Sequence, residues 1–339
     1  MTRYLCAGFC MLLLFAGCSP KKSVSSAESS SCTEKKSERI ILGFSQIGAE
    51  SAWRAYNTRS IQQAAEREGV QLLFSNAEQK QENQIKALRT FIAYRVDVIA
   101  FVPIVQDGWD NVLREARDAA IPVIVCDRKI HTSEPDLYAG YIGTDSEEEG
   151  RRAARFLMRK YQGAAGPLNI IEIRGTDGSS ASDGRIRGFH ELLDADERFS
   201  FVYSESGDFL PSRGKEIAQG ILQENGGAFC IGGRNIDIIF STNDGMTLGM
   251  LSVLKEHGIR TGSGSTITVV SVDAQQEAID SLKAGEINCV IECNPELGGQ
   301  IIGLVKKLAA GEPIPRLTHV EETVFSEFDD LDSILPRGY

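Results

Sequence analysis

The sequence predicts an α/β protein with parallel sheets, divided into two lobes. Three observations carry that expectation. The strand-like segments are continuous apolar runs rather than alternating ones, as strands covered on both faces require. Each is followed by a stretch with helical spacing, the βα alternation of parallel sheets. The alternation also restarts near Pro167, so nine strands are better divided between two sheets than placed in one.

The first residues lie outside that fold. Arg3 precedes an apolar run from Tyr4 to Gly17, too short for a bilayer-spanning helix of about 20 residues, so residues 1–17 read as a secretory signal. Phe15-Ala16-Gly17-Cys18 resembles the lipobox of bacterial lipoproteins, in which the cysteine is lipidated and becomes the mature N-terminus. Residues 18–38 are rich in Ser and charge and nearly devoid of apolar side chains, which predicts a flexible tether. An anchor followed by a tether places the folded body outside the cytoplasm, beside a membrane and not in it.

The expected strands are 40–45, 70–75, 97–102, 122–126, 168–174, 199–204, 236–240, 267–272 and 287–292. Between them, Ile85, Leu88 and Ile92 share one helical face, as do Ile186, Phe189 and Leu193. Pro295 is expected to open a helix carrying Leu297, Ile301, Leu304 and Leu308, with Gly311 beyond its end.

Composition narrows the function. The 339 residues carry a net charge of −11 with no basic cluster, which argues against nucleic acid as a partner. Cys126, Cys230, Cys289 and Cys293 lie in or beside apolar runs and Cys32 lies in the tether. None has CxxC spacing, so buried free thiols are expected, one disulfide stays open, and no metal site is predicted. Catalysis finds little support. The four histidines, at 131, 190, 257 and 319, avoid the strand tips, and GxSxG is absent. His257-Gly258 reads as a helix C-terminus, and Trp109 reads as a packing residue.

In open parallel sheets, ligands bind beyond the carboxyl ends of the strands. Those ends here deliver QIGAESAWR, Asp127-Arg128, GTDGSSASDGR, Asp208-Phe209, Asn243-Asp244, Asp273 and Glu292. Arg54, Arg128 and Arg185 stand against Glu50, Asp127, Asp273 and Glu292, a near balance suited to a neutral, hydroxyl-dense ligand. Trp53 and Phe209 can cover the C–H faces of a sugar ring. GTDGSSAS lacks the GxxxxGK[ST] spacing of a phosphate loop.

SQIGAESAWR (45–54), EQKQENQIKALRTFIAYRVDVI (78–99), IPVIVCDR (121–128) and SESGDF (204–209), with Asn243 and Asp273, resemble the periplasmic solute-binding proteins of sugar ABC importers, most of all the galactofuranose-binding type. The likeness runs from about Ile40 to Tyr339. It implies the type I periplasmic binding fold, two Rossmann-like lobes joined by a three-segment hinge, with one lobe formed by 39–142 and 294–320 and the other by 143–293 and 321–339. It also implies sugar contacts at Glu50, Ser51, Trp53, Arg54, Asp127, Arg128, Arg185, Phe209, Asn243, Asp273 and Glu292. The sequence departs from the family at Ala52, often Gly, and at Asp183-Gly184. The resulting expectation is a monomeric, cofactor-free receptor, not an enzyme, anchored through lipid on Cys18. It captures a neutral hexose, furanose in form, and hands it to ABC permease subunits. The alternative is a sensor that presents bound sugar to a chemoreceptor or a signalling membrane protein. A cytoplasmic transcriptional regulator of the same fold conflicts with the secretion signal, and a glycoside-processing enzyme lacks an obvious acid/base pair.

Overall fold

The computed structural model describes residues 39–339; the signal, the tether and Cys18 lie outside the described residues. The first half alternates strand and helix: β1 (Ile41–Gln46), α1 (Ala52–Arg67), β2 (Gln71–Asn76), α2 (Gln81–Ala93), β3 (Val98–Phe101), α3 (Asp110–Asp118), β4 (Val123–Cys126) and β5 (Gly140–Gly143). The second continues with α4 (Ser146–Lys160), β6 (Leu168–Arg174), α5 (Ser180–Leu193), β7 (Phe199–Ser206) and α6 (Pro211–Glu224). A short hairpin, β8 (Cys230–Ile231) and β9 (Arg234–Asn235), precedes β10 (Ile238–Ser241), α7 (Asp244–Glu256), β11 (Thr268–Asp273), α8 (Gln276–Lys283) and β12 (Cys289–Glu292). Helix α9 (Gly298–Ala309), β13 (Leu317–His319) and β14 (Val324–Ser326) follow.

The strands form two six-stranded sheets, ordered β13-β5-β4-β3-β1-β2 and β14-β12-β11-β10-β6-β7. All pairings within them are parallel except β12 with β14. The chain passes between the sheets at residues 144–145, 293–297 and 320–323. In each sheet the strand order reverses, between β1 and β3 and between β6 and β10, which is where open α/β sheets leave a crevice for ligands.

Both faces of both sheets are covered, which is why the strands read as unbroken apolar runs. Along β3, Val98 and Ala100 pack with α1 and α9 residues such as Ile61 and Ile301. Ile99 and Phe101 face α2 and α3 through Leu88 and Leu113. In the second sheet Ile170 and Phe240 face α4 and α5 through Leu157 and Phe189. Ile171 and Ile239 face α6 to α8 through Ile217, Leu254 and Leu282. Trp109 is fully buried, tilted against Phe101, with its Nε1 donating to the Val105 carbonyl at 2.8 Å, the packing role expected of it. The His257 residue caps α7, its Nδ1 2.9 Å from the Val253 carbonyl.

Several elements differ from expectation. Helix α2 turns Gln84, Ala87, Leu88 and Phe91 inward, leaving Ile85 and Ile92 partly buried. Pro295 lies ahead of α9, which begins at Gly298. The four cysteines among the described residues are free, three buried and Cys230 half-buried.

Candidate ligand-binding site

Between the sheets, beyond their carboxyl ends, lies a cavity with about 320 Å³ of space unfilled by protein atoms, the part open to solvent included. From the β1 side it is lined by Glu50, Ser51, Trp53 and Arg54, and from the tip of β4 by Asp127 and Arg128. The second sheet contributes Arg185 on α5, Phe209 after β7, Asn243 after β10 and Asp273 at the end of β11. Residues expected at this site from widely separated strand tips thus converge on one space.

Three arginines form its charged frame. Arg54 Nε donates to Glu50 Oε1 at 3.0 Å and its Nη2 to Asp127 Oδ2 at 2.7 Å, while its guanidinium lies 4.6 Å from the Trp53 ring centroid. Burial alone would depress its pKa, but Asp127 and Glu50 overcome that and hold it above the ordinary arginine range. Arg185 Nε donates to Glu149 Oε2 and its Nη1 to the Thr242 carbonyl, each at 2.6 Å, and its Nη2 stands 3.8 Å from Asp273 Oδ1. Arg128 has no carboxylate in direct contact among the described residues. Its Nη1 donates to the Ile104 carbonyl at 3.1 Å and its guanidinium covers the Phe209 ring at 5.0 Å. Burial and then the neighbouring Arg54 push it down to about 10, which leaves it charged at neutral pH.

Local structure explains how the tips hold these groups. Ser51 is the N-cap of α1, its Oγ accepting from the Arg54 N–H at 3.1 Å, so the cap sets the residue that carries the guanidinium. Asn243 caps α7 through Oδ1 to the Met246 N–H at 3.0 Å, and its Nδ2 donates to the Phe209 carbonyl at 3.3 Å. Asp127, Phe209 and Asp273 have φ of +62°, +60° and +128°, conformations that side-chain-bearing residues rarely adopt and that concentrate at functional sites. The Phe209 ring occupies the space a side chain at Gly175 would need: a Cβ there would fall 2.0 Å from the ring. Burial drives the Asp273 carboxyl well above its usual range, Arg185 opposes this, and Asp244, Glu149 and Asp127 reinforce it. Asp244 beneath it is pushed up to about 7 by burial against hydrogen bonds from Ser271 and the Gln275 N–H.

One expectation needs correction, and one residue has a second role. Glu292 does not line the cavity: one carboxylate oxygen meets Arg337 and the other accepts from the Thr323 N–H at 2.9 Å. Its strand register pairs it with Asp273, yet its side chain serves the passage to β14. Trp53 lines the cavity and also packs the fold. It is 4% exposed, packs into the core cluster of the second sheet and donates from Nε1 to the Cys293 carbonyl at 2.5 Å, so it ties α1 to the passage after β12.

Ala181 and Cys293 also line the cavity, and Glu149 holds Arg185 from behind. None carries a sequence signal that sets it apart: Glu149 sits in an ordinary charged helix, SEEEGRRAAR, and Cys293 follows an apolar strand. The approach of α4 to α5 that brings Glu149 to Arg185 depends on glycine. A Cβ at Gly150 would fall 2.0 Å from the Arg185 carbonyl oxygen, and one at Gly188 would fall 1.9 Å from that of Glu147.

The two sides of the cleft also meet directly at its rim. The Gln106 N–H donates to the Gly178 carbonyl at 2.9 Å and Gln106 Nε2 to Asp183 Oδ2 at 2.8 Å, while the Lys129 N–H donates to Ser180 Oγ at 2.6 Å. The conformation is therefore a closed one. A larger groove, with about 1350 Å³ of empty space, runs along the edge strand β2 and α2. It is an open hollow that includes Leu73, Phe74, Thr90 and Tyr94, and it lacks the converging buried charges of the cleft. Among the described residues no helix is long and apolar enough to cross a membrane.

Two parallel-sheeted halves linked by three passages, closing on a polar cavity, define a binding protein of the two-lobed periplasmic class. The chain belongs to the periplasmic binding protein family: the family profile described as a periplasmic binding protein domain matches residues 42–313. It is 34% identical over 305 residues to the galactofuranose-binding protein YtfQ of Escherichia coli strain K12, covering 88% of this chain and 93% of that protein. A Mycobacterium smegmatis protein solved in complex with beta-D-fucofuranose is 41% identical, with a TM-score of 0.80 over 85% of this chain and 92% of the other. The periplasmic binding component of the arabinose ABC transporter of Shewanella sp. ANA-3, solved with alpha and beta-L-arabinofuranose, is 36% identical with a TM-score of 0.77, covering 85% and 92%.

Proposed function

We propose that this protein captures a neutral sugar in its furanose form, galactofuranose first, and delivers it to the permease of an ABC importer. The observation that carries the reading is a set of buried polar atoms without partners among the described residues: Glu50 Oε2, Arg54 Nη1 and Arg128 Nε, each on a residue lining the cavity. A buried acceptor and two buried charged donors without hydrogen bonds are costly, and adjacent hydroxyls of one ring would satisfy them together. With Glu292 set aside, three guanidinium groups meet three carboxyl side chains in the cavity. That balance favours an uncharged ligand over a sugar phosphate. The furanose preference rests on the sugars named for the relatives above.

Glu50, Ser51, Trp53, Arg54, Asp127, Arg128, Arg185, Phe209, Asn243 and Asp273 are the proposed contacts, binding without chemical change. Calorimetry with galactose, arabinose, ribose and glucose, under conditions where ring forms equilibrate, tests the choice. Binding limited to the small furanose fraction of galactose is expected. Tight binding of a sugar phosphate with no neutral sugar bound would overturn it. Arg128→Ala is expected to weaken binding by about 1.5–3 kcal/mol, the scale of a hydrogen bond to a charged group.

The folded body works as a monomer outside the cytoplasm, held to a membrane by lipid on Cys18; the Phe-Ala-Gly-Cys sequence supports this. Cys18→Ser should abolish incorporation of a fatty-acid probe and release the protein from the membrane fraction. Equal labelling of the variant would refute the anchor.

A further inference from the structure

Behind Arg185, where the second and third passages between the sheets run side by side, two carboxyl groups meet. Glu149, on α4, is fully buried, and the Glu322 side chain, in the passage from β13 to β14, is 4% exposed. With the Cys293 thiol, their donor atoms lie within 4.8 Å of one another. Glu149 spends Oε2 on Arg185 at 2.6 Å. Its Oε1 and the Oε1 of Glu322 are both buried without a hydrogen-bond partner among the described residues. Glu322 Oε2 has Arg152 at 3.8 Å, beyond hydrogen-bonding distance. Two orphaned, buried acceptors on carboxyl groups this close together are a large unpaid cost as a pair of carboxylates. One proton between them removes it, converting one orphan into a donor for the other.

We propose that Glu149 and Glu322 share a single proton, and that this bridged pair positions Arg185 in the cavity. The surroundings are consistent with one proton and one negative charge. Arg185 from α5 and Arg152 from α4 supply positive charge, Tyr141 of β5 and the Cys293 thiol border the pair as groups that burial keeps neutral, and Asp273 at the tip of β11, its carboxyl raised by burial, lies across Arg185. Burial, then the charge and hydrogen bond of Glu149, push Glu322 up to about 11, so the bridge persists throughout the neutral range. A metal ion fits poorly, since two guanidinium groups already flank the pair and a thiol held neutral is a weak ligand. With its second oxygen tied to Glu322, Glu149 presents only Oε2 to Arg185. That fixes the guanidinium with Nη1 on the Thr242 carbonyl and Nη2 toward Asp273.

The positioning role rests on the sugar-binding reading of the cavity; the proton does not. Difference infrared spectroscopy of the full-length protein at pH 7, in H₂O and D₂O, should show a protonated carboxyl C=O band that disappears in Glu322→Gln. Its loss in that variant supports the bridge whether or not a sugar binds. The absence of any such difference, or one equivalent of metal in the purified protein that Glu322→Gln removes, would overturn it. For the positioning role, Glu322→Ala should weaken sugar binding about tenfold or more, the scale of losing a hydrogen bond to a charged group. Glu322→Gln, whose amide donates to the same oxygen, should recover most of that loss. Equal losses in the two variants would reduce Glu322 to a packing residue. If no sugar bound the wild type, the proposed function would fall while the infrared result stood.

Discussion

The half-buried imidazole of His190, on α5, is held between two carboxylates: Nδ1 lies 2.6 Å from Asp194 Oδ1, and Nε2 lies 2.9 Å from Glu172 Oε1 as an ion pair without an aligned N–H. Glu172 first, against partial burial, and then Asp194 push its pKa up from 6.5 to about 9. A base whose folded pKa is raised contributes stability that is full below the unfolded value and lost as pH rises through the folded one. The window is therefore pH 6.5 to about 9. After discounting for a side chain 29% exposed, the contribution is about 1–2 kcal/mol. His190→Asn should melt a few degrees below wild type at pH 6, with the gap closing by about pH 10; other titrating groups, Glu322 included, are common to both proteins and cancel. A gap that stays constant across that range would show that the imidazolium charge contributes nothing. At this same scale, what could be read from sequence had a physical limit. Asp127, Arg128 and Asp273 were visible because a charge at the end of a buried strand is anomalous, and Arg185, on α5, through the polar stretch after β6 and the family resemblance. Glu149 was not, because nothing in a charged helix reveals which carboxylate turns inward. Glu292 misled because it shares the strand-tip signature while its partner, Arg337, is remote in sequence.

Elements were readable where burial was two-sided and failed where it was partial or polar. Seven of the nine expected strands stood out because α-helices cover both faces, as the opposed packing of Ile238 and Ile239 illustrates, while the edge strands β2 and β7 are largely half-buried. Strand β5, Gly-Tyr-Ile-Gly, is fully buried yet half glycine, so its composition resembles a turn. Strands β13 and β14 are three residues each and partly exposed, and gain strand character only by pairing with β5 and β12. The face of α2 was misjudged by one step because its inward side includes Gln84. That amide donates to the Val102 carbonyl at 2.6 Å and accepts from the Ile104 N–H at 3.0 Å, securing the loop after β3 that carries the Arg128 partner Ile104. Counting apolar residues cannot find a buried face whose purpose is to hold backbone. The same reasoning accounts for the glycines of α4 and α5, whose value lies in the side chain they omit.

For the molecule as a whole, closure is the step that turns two half-sites into one. Arg54, Asp127 and Arg128 come from the first sheet, while Arg185, Phe209 and Asp273 come from the second, so a ligand between them gains its full set of hydrogen bonds only in the closed form. The protein's own contribution to closure at the rim is modest: three hydrogen bonds from Gln106 and Lys129 to the start of α5 and the loop before it. Against them stand the buried, unpaired atoms of Glu50, Arg54 and Arg128, which water would reach if the lobes parted. A net hydrogen bond is worth about 0.5–1.5 kcal/mol and an orphaned buried polar group costs about 1–3 kcal/mol, so without sugar the balance favours opening. On the proposed function, sugar reverses it, because a ligand that contacts both sides binds the closed state better. Small-angle scattering should therefore give a smaller radius of gyration at saturating sugar than without it. The measurement should use the sugar whose binding calorimetry has verified, since an unbound sugar would leave the radius unchanged for a trivial reason. An unchanged radius with verified saturation would mean that the lobes are already closed in the free protein, and the hinge mechanism would fall.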